Sequence, residues 1–379
     1  MIFVSECYGE LIFVTVLPPD GNGESEEKVR QVYSELFDFL KSRKADLLHE
    51  RVYGSVSLSD TVLKVRRELL SQNGTIKRIP PTYVEGTPFN GAEFAGVHAI
   101  AVRSSRPDCT SFLEHEGEVC GSVHHGKEAD YLFLSDVGRL LPDAVRKSAD
   151  EEAHETILLA NRILQEIDWS YHNVIRTWFY LDDILGWYPN FNRVRNEVYK
   201  RMGLFNGNPR TLIPASTGIW GRNVRGNWCT LDILAMRSQP NHVFQVRRLV
   251  NPKQNEATDY GSAFSRGVSV TTDSCQTIFI SGTASIDEQG ISVYPGDMER
   301  QTERTLLNVA SLLECAGAQF DRVVQATAFV KRSEDIPVFH RVAERMGLSS
   351  IPMVCTIADV CRDDLLFELD ATAVLASPQ

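Results

Sequence analysis

The same order of predicted elements occurs three times along this chain of 379 residues, and no other feature of the sequence constrains the fold as strongly. In each copy an apolar strand leads to an amphipathic helix, a second strand, a second helix, a segment that starts with proline and a closing strand. The closing strands begin near Phe94, Thr230 and Glu368. This spacing is too long for a solenoid, so we predict three αβ repeats, at residues 1–125 (with a linker), 126–240 and 241–379.

Apolar residues follow helix and strand periodicity in turn. The first predicted helix, at about 26–40, has Val29, Val32, Leu36 and Leu40 on one face. Corresponding helices are expected at about 150–167 and 298–315, and strands at 174–181 and 323–330. The sequence therefore predicts an α/β (α+β) fold, with the polar stretches 105–127 and 237–260 as linkers.

The charge balance limits the kinds of partner that the chain can bind. Its formal net charge is −11, whereas nucleic-acid binding depends on clustered Lys and Arg. No apolar run reaches the length of a membrane span, and the N-terminus lacks the basic start and cleavage site of a signal peptide. We therefore expect a cytoplasmic protein without nucleic-acid or membrane partners.

Several potential metal ligands crowd the first predicted linker. His115, Cys120, His124 and His125 lie there with glutamates between them, but their spacing fits no helical or turn-based ligand pattern. The eight cysteines of the chain also form no CxxC pair. We expect a polar loop here and no metal site.

The third repeat resembles the RidA (YjgF-type) family along its whole length. The resemblance rests on FISGTASI at 279–286, the turn at 296–297, Gln301 and ELDATAV at 368–374. RidA proteins are homotrimers of one such αβ unit. The resemblance therefore implies three fused RidA-like (chorismate-mutase-like) repeats that form a pseudo-trimer within one chain, which leaves a monomer or a weak dimer.

A longer region, of about residues 130–376, is similar to the chorismatase family. The matching motifs are RTWFYLDDI at 176–184, PASTGIWG at 214–221 and ADVCRDDLLFELDA at 358–371. The similarity implies chorismate as the small-molecule substrate. It also implies a reaction without a cofactor, because release of pyruvate from the enol ether needs only proton transfers.

Comparison of the three closing strands singles out Glu368, which aligns with Thr230 and Gly96. A carboxyl group at the start of an apolar strand is costly to bury unless it is used or paired. We therefore expect Glu368 to be the general acid, in a site between the second and third repeats. The structural alternative is a glutamate paired with a neighbouring arginine.

Chorismate carries two carboxylates, so its site needs cations and hydrogen-bond donors. Arg193 and Arg341 occupy equivalent places in the second and third repeats and are the candidate cations, although a solvated helix face would also explain them. Ser216 and Thr217 are expected to supply hydroxyl and backbone donors.

Two further residues are expected to lie at the ring of the substrate. Tyr180 is a candidate ring contact, with a place in the core as the alternative. Gly267, which follows Arg266, is expected to leave room for the ring because it lacks a side chain.

The resemblance assigns the choice of product to Cys361. In the chorismatase family, Cys at this position with Gly at the position of Gly267 accompanies formation of 3-hydroxybenzoate, so we expect conversion of chorismate to 3-hydroxybenzoate and pyruvate. Cys361 as a small packing residue is the alternative. The alternative functions are a chorismate hydrolase that gives 3,4-dihydroxycyclohexa-1,5-dienoate and pyruvate, and a non-catalytic RidA-like metabolite-binding protein.

Imine deamination, the reaction of RidA proteins, depends on an arginine just after the proline-led turn. The positions that align with it are Ser216 in the second repeat and Val354 in the third. Neither side chain can bind a carboxylate as a guanidinium does, so the sequence argues against this activity.

Overall fold

The computed structural model describes the chain except for residues 7, 20, 22, 75–78, 90, 104–107, 146–147, 206–210 and 378–379. In this described part, three mixed β-sheets each pack two long helices against one face. None of these helices is long and apolar enough to cross a membrane.

The first sheet has the strand order β1-β2-β6-β3-β4. Its α1 is oriented by a buried stripe that includes Val29 and Leu36, with acidic residues in the first turn and basic residues in the last, as the helix dipole favours. Strand β5 leaves this repeat and pairs with the third sheet. The elements are β1 (Ile2–Ser5), β2 (Leu11–Val16), α1 (Ser25–Arg43), β3 (Ala45–Gly54), α2 (Ser59–Gln72), β4 (Thr82–Glu85), β5 (Thr87–Pro88) and β6 (Phe94–Arg103).

The second sheet has the order β11-β10-β12-β9-β8-β7. The first predicted linker is wrong in its described part, because residues 110–125 form a hairpin that pairs with β9 and buries Cys120 and Val123. The elements are β7 (Thr110–His115), β8 (Glu118–His125), β9 (Ala129–Leu134), α3 (Ala149–Glu166), β10 (Val174–Leu181), α4 (Ile184–Arg201), β11 (Ala215–Trp220) and β12 (Cys229–Ser238).

The third sheet has the order β13-β14-β15-β18-β16-β17-β5. Its strand β13 lies within the second predicted linker, so that prediction is also wrong in part. The elements are β13 (Phe244–Leu249), β14 (Gly267–Thr272), β15 (Cys275–Ala284), α5 (Met298–Cys315), β16 (Val323–Val330), α6 (Ile336–Arg345), β17 (Met353–Ile357) and β18 (Phe367–Ala376).

The three sheets face one another around a shared apolar core. Phe13, Phe133 and Phe279, which occupy matching places on β2, β9 and β15, all belong to this core. The helices lie on the outer faces, where each repeat has a core of its own. This arrangement is the predicted pseudo-trimer.

Polar side chains tie the repeats together at matching places beside this core. His49 binds Asp232 (2.9 Å) and Arg176 binds Asp370 (3.0 Å), while Gln325 donates to a backbone carbonyl of the first repeat (3.2 Å). Because all of these groups are buried, each tie satisfies polar atoms that would otherwise destabilise the interface.

Candidate active site

A small cavity lies between the second and third repeats, where β11 and α4 meet β15 and β18. Its volume of 30 Å³ leaves room for water but is small for a larger ligand. An outer basin of 660 Å³ adjoins it and shares the wall residues Tyr188, Tyr260, Cys361 and Arg362. The inner cavity is therefore narrow and lies directly beside the larger basin, from which this wall partly separates it.

Glu368 lies at the inner end of this cavity, on β18, and is 3% exposed. A methyl group on Gly282 of β15 would lie 2.1 Å from Glu368 Oε1, so the missing side chain of Gly282 is what admits the carboxyl. Burial, with the charge of Asp370 as a second cause, raises the pKa of Glu368 to about 8, and Arg266 and Arg176 offset this in part. The group is protonated at neutral pH.

Two guanidinium groups that line the cavity both lie close to the ring of Phe264. The Cζ atoms of Arg195 and Arg266 each lie 5.3 Å from the centre of the Phe264 ring. Arg195 Nη2 donates to Asn192 Oδ1 (2.7 Å) and Arg266 Nε donates to Asn255 O (2.9 Å). Within the described residues, Arg195 Nε and Arg266 Nη2 are buried without a partner, so both cations retain donors for an anion.

Ser216 and Thr217 are adjacent on β11 but have different surroundings. Ser216 lines the cavity, accepts a hydrogen bond from Thr177 Oγ1 (2.9 Å) and donates its backbone N–H to Ser281 Oγ (2.8 Å). The Thr217 hydroxyl donates to Asp370 Oδ2 (2.8 Å). Thr217 is therefore placed to hold a neighbouring side chain, and its hydroxyl is not a free donor for substrate.

Cys361 and Tyr188 border the cavity between Glu368 and the outer basin. Burial, with the charge of Glu368 as a second cause, raises the pKa of the Cys361 thiol to about 12. Burial also raises the pKa of Tyr188. Both groups are neutral at physiological pH, so Cys361 presents a thiol and not a nucleophilic thiolate.

The structure does not bring the two predicted cations into the cavity. Arg193 is exposed on α4 and pairs with Asp150 (2.6 Å), so it borders the outer basin and not the inner cavity. Arg341 is exposed on α6, where its Nη1 donates to Pro337 O (3.3 Å). Arg341 lies away from the cavity because the helix that lines the cavity is α4 of the second repeat, whereas Arg341 is on α6 of the third repeat.

The two predicted ring contacts also lie outside the cavity. Tyr180 is in the shared core, and its hydroxyl forms a hydrogen bond with that of Tyr53 (3.0 Å). Gly267 lies where an added methyl group would come within 3.2 Å of Leu249 and of the carbonyl of Phe279, so it permits close strand packing. The residue before it, Arg266, is the one that lines the cavity.

Sequence reasoning missed several cavity residues, among them Arg195, Gly282 and the wall residues Tyr188, Tyr260 and Arg362. Arg195 follows the buried positions Phe191 and Val194 of α4, and this apolar face was a signal that could have identified it. Gly282 interrupts the apolar strand β15 beside Glu368, and a glycine inside a strand often marks a close approach.

Strand register corrects one alignment made from the sequence. In the second repeat, Trp178 lies opposite Asp232 of the closing strand and pairs on its other side with Thr217. In the third repeat, Thr327 lies opposite Asp370 and pairs on its other side with Val354. Thr217 is therefore the structural counterpart of Val354. Alignment on the prolines instead pairs Val354 with Ser216, which is one residue too early. None of these residues is an arginine.

Comparisons with known proteins agree with this architecture. Residues 257–375 match the family described as endoribonuclease L-PSP. A 3-hydroxybenzoate synthase of Streptomyces hygroscopicus is 25% identical over 279 residues, which cover 66% of this chain and 76% of the relative. A RutC family protein of Pyrococcus abyssi is 32% identical over 97 residues, which cover 25% of this chain and 76% of the relative.

The chain belongs to the RutC family, whose αβ unit it contains. Along its length it also has the fold of a chorismatase: the crystal structure of one such protein matches 97% of this chain and 100% of its own, with a TM-score of 0.64 and 19% identity. The pseudo-trimer of RidA-like repeats predicted from the sequence is thereby confirmed.

Proposed function

We propose that this chain converts chorismate to 3-hydroxybenzoate and pyruvate, with Glu368 as the general acid. The observation that carries the proposal is a buried carboxyl, with a pKa of about 8, that faces a narrow cavity beside two guanidinium groups. At neutral pH such a carboxyl holds the proton that a general acid must give. Similarity to the 3-hydroxybenzoate synthase of Streptomyces hygroscopicus supports the substrate class.

In the proposed reaction, Glu368 donates its proton to the methylene carbon of the enolpyruvyl group. The ether carbon becomes an oxocarbenium centre. Water or the substrate's own hydroxyl then attacks the cationic intermediate and loses its proton, which restores the proton given by Glu368, and cleavage of the ether C–O bond releases pyruvate. Chorismate has the elemental composition of hydroxybenzoate plus pyruvic acid, so the conversion is redox-neutral. Proton transfer and control of water are the only chemistry that the protein must supply.

Arg195 and Arg266 are the proposed partners of the two substrate carboxylates. Each is 1% exposed and retains an unpartnered N–H within the described residues. Guanidinium groups bind carboxylates strongly where water is excluded. Two such groups in one cavity fit a dianion, and they replace Arg193 and Arg341 as the candidate cations.

Cys361 is proposed to direct the product, because its thiol borders the cavity beside Glu368. Attack by water on the cationic intermediate would give the diol, and attack by the substrate's own hydroxyl would lead to 3-hydroxybenzoate. A neutral, weakly polar thiol at this wall excludes water from the intermediate. Gly267 does not contribute directly, since it lies outside the cavity.

Replacement of Cys361 by Ala tests this role. We expect C361A to keep releasing pyruvate but to form a smaller share of 3-hydroxybenzoate, with the diol or 4-hydroxybenzoate in its place. Chromatography of the ring products measures the share. C355A is a matched control, because Cys355 is a thiol on β17 outside the cavity. An unchanged product ratio in C361A would leave Cys361 as a packing residue.

The proposed function is tested by incubating the purified chain with chorismate and assaying both products. We expect equal amounts of pyruvate and 3-hydroxybenzoate. Pyruvate with 3,4-dihydroxycyclohexa-1,5-dienoate would assign the chain to the chorismate hydrolases. Chorismate binding without pyruvate release would support the metabolite-binding alternative.

A further inference from the structure

Asp370 is the nearest acidic residue to Glu368 along β18. The two residues are separated by one position, so their side chains project from the same face of the strand, toward the shared core. At about 3.3 Å per residue their Cα atoms are about 7 Å apart. Leu369, between them, belongs to the core on the helix side. Two carboxyl groups thus share one buried environment.

Asp370 is held by two side chains of the second repeat. Arg176 Nη2 donates to Asp370 Oδ2 (3.0 Å), and Thr217 Oγ1 donates to the same oxygen (2.8 Å). Burial lowers the pKa of Arg176 to about 10, which still leaves it charged at neutral pH. Both donors therefore converge on one oxygen of the Asp370 carboxyl, and one of them is a cation.

Glu368 receives no such help from the described residues. The Thr217 hydroxyl donates its one proton to Asp370, so it is not available to Glu368. Thr217 Cγ2 and Glu368 Oε1 lie 3.3 Å and 2.1 Å from the point where Gly282 would carry a methyl group. Thr217 is therefore close to this part of the site but gives its hydrogen bond to Asp370.

We propose that Asp370, which Arg176 and Thr217 hold in place, is the positioning residue whose negative charge keeps the neighbouring Glu368 carboxyl in its proton-carrying form. The proposal deepens the role of Glu368 and rests on the proposed function. In this proposal Asp370 carries the negative charge and Glu368 carries the proton. A second negative charge on a buried group about two strand positions away is strongly disfavoured.

The other charged and titratable groups around the pair are consistent with this division. Arg266 and Arg176 favour an ionised Glu368, whereas Tyr188 and Cys361 are neutral. Asp370 also faces Arg51 of the first repeat and the phenols of Tyr53 and Tyr180. Burial and Asp370 together outweigh the two cations, since the pKa of Glu368 is raised to about 8.

A purely structural role for Asp370 is the alternative, and the repeats provide its control. Asp232 takes the same place on β12, where it binds His49 (2.9 Å) and accepts a hydrogen bond from Thr82 Oγ1 (2.7 Å). On this strand, Thr230 occupies the position that corresponds to Glu368, and its side chain cannot ionise. Asp232 thus ties two repeats together without a proton donor beside it.

Infrared titration of the substrate-free protein tests the proposal without relying on turnover. The carbonyl stretch of protonated Glu368 is identified by its absence in E368Q, and its titration midpoint is then followed in D370N and D232N. We expect D370N to lower the midpoint by about one pH unit or more, because it removes the neighbouring negative charge. D232N should leave the midpoint unchanged. An unchanged midpoint in folded D370N would overturn the proposal.

A second variant at the same position keeps the test decisive if D370N does not fold. D370S also removes the carboxyl group but keeps a hydroxyl that can accept a hydrogen bond, so the Glu368 midpoint should again fall. An unchanged midpoint in folded D370S would overturn the proposal. If the unaltered chain releases no pyruvate from chorismate, the proposed function fails, while the infrared midpoints still decide whether the two carboxyl groups are coupled.

Discussion

Glu368 and Gly282 are matched across two neighbouring strands. β15 departs from regular pairing between Ile280 and Thr283, and the irregular position includes the glycine that faces the carboxyl. The acid is therefore positioned by backbone geometry, and no hydrogen bond from the described residues fixes it. Such a site depends on the space that Gly282 leaves.

Replacement of Gly282 by Ala is expected to disable the site without removing the acid. The added methyl group would lie 2.1 Å from Glu368 Oε1 and must displace the carboxyl. A displacement of about 1 Å at a reacting group can cost about hundredfold in rate. Pyruvate release from chorismate measures the loss.

Gly74→Ala is the control for that substitution, because a methyl group there meets no atom within 4 Å. We expect G74A to retain the unaltered rate. Full activity in G282A would mean that the carboxyl acts from another position than the one in this structure.

Helix α4 shows what the sequence could and could not predict about the site. The element pattern predicts a second helix in the second repeat, and the charge of chorismate requires an arginine near it. The prediction names Arg193, whereas the arginine that lines the cavity is Arg195. Residues two apart on a helix differ by about 200° in direction, so they lie on nearly opposite faces. Arg195 shares the buried face of Phe191 and Val198, which the apolar pattern alone already marks.

The two arginines of α4 therefore form a matched pair of variants. We expect R195Q to raise KM for chorismate by about ten- to hundredfold, because a charge-assisted hydrogen bond to a carboxylate contributes about 1.5–3 kcal/mol. R193Q, on the exposed face, should leave KM nearly unchanged, since surface ion pairs contribute little. Steady-state kinetics of both variants measure the difference, and equal effects would contradict the assignment of Arg195.

The architecture of the whole molecule was largely contained in the sequence. Three copies of one element pattern predicted the pseudo-trimer, and the copies served as their own control for Glu368. The errors concern pairing between distant segments. The hairpin of β7 and β8 reads as a polar linker because its burial comes from β9, and Tyr180 reads as a site residue because its Tyr53 partner lies 127 residues away. Local patterns carry no information about such partners.

Assembly is predicted at the same scale. The surfaces that associate RidA-like units are already buried within this chain, around the core shared by the three sheets. We therefore expect a monomer of 42.5 kDa, or at most a weak dimer, in light-scattering measurements across a range of concentrations. An obligate trimer of chains would contradict the view that one chain completes the threefold arrangement.

The central claim is that Glu368 supplies the proton that releases pyruvate, and Glu368→Gln tests it most directly. Gln keeps the shape of the side chain but cannot donate an acidic proton. With chorismate at saturating concentration, we expect turnover of E368Q to fall by about 10²- to 10⁴-fold while calorimetry still detects chorismate binding. A fall of less than about tenfold would show that Glu368 is not the general acid.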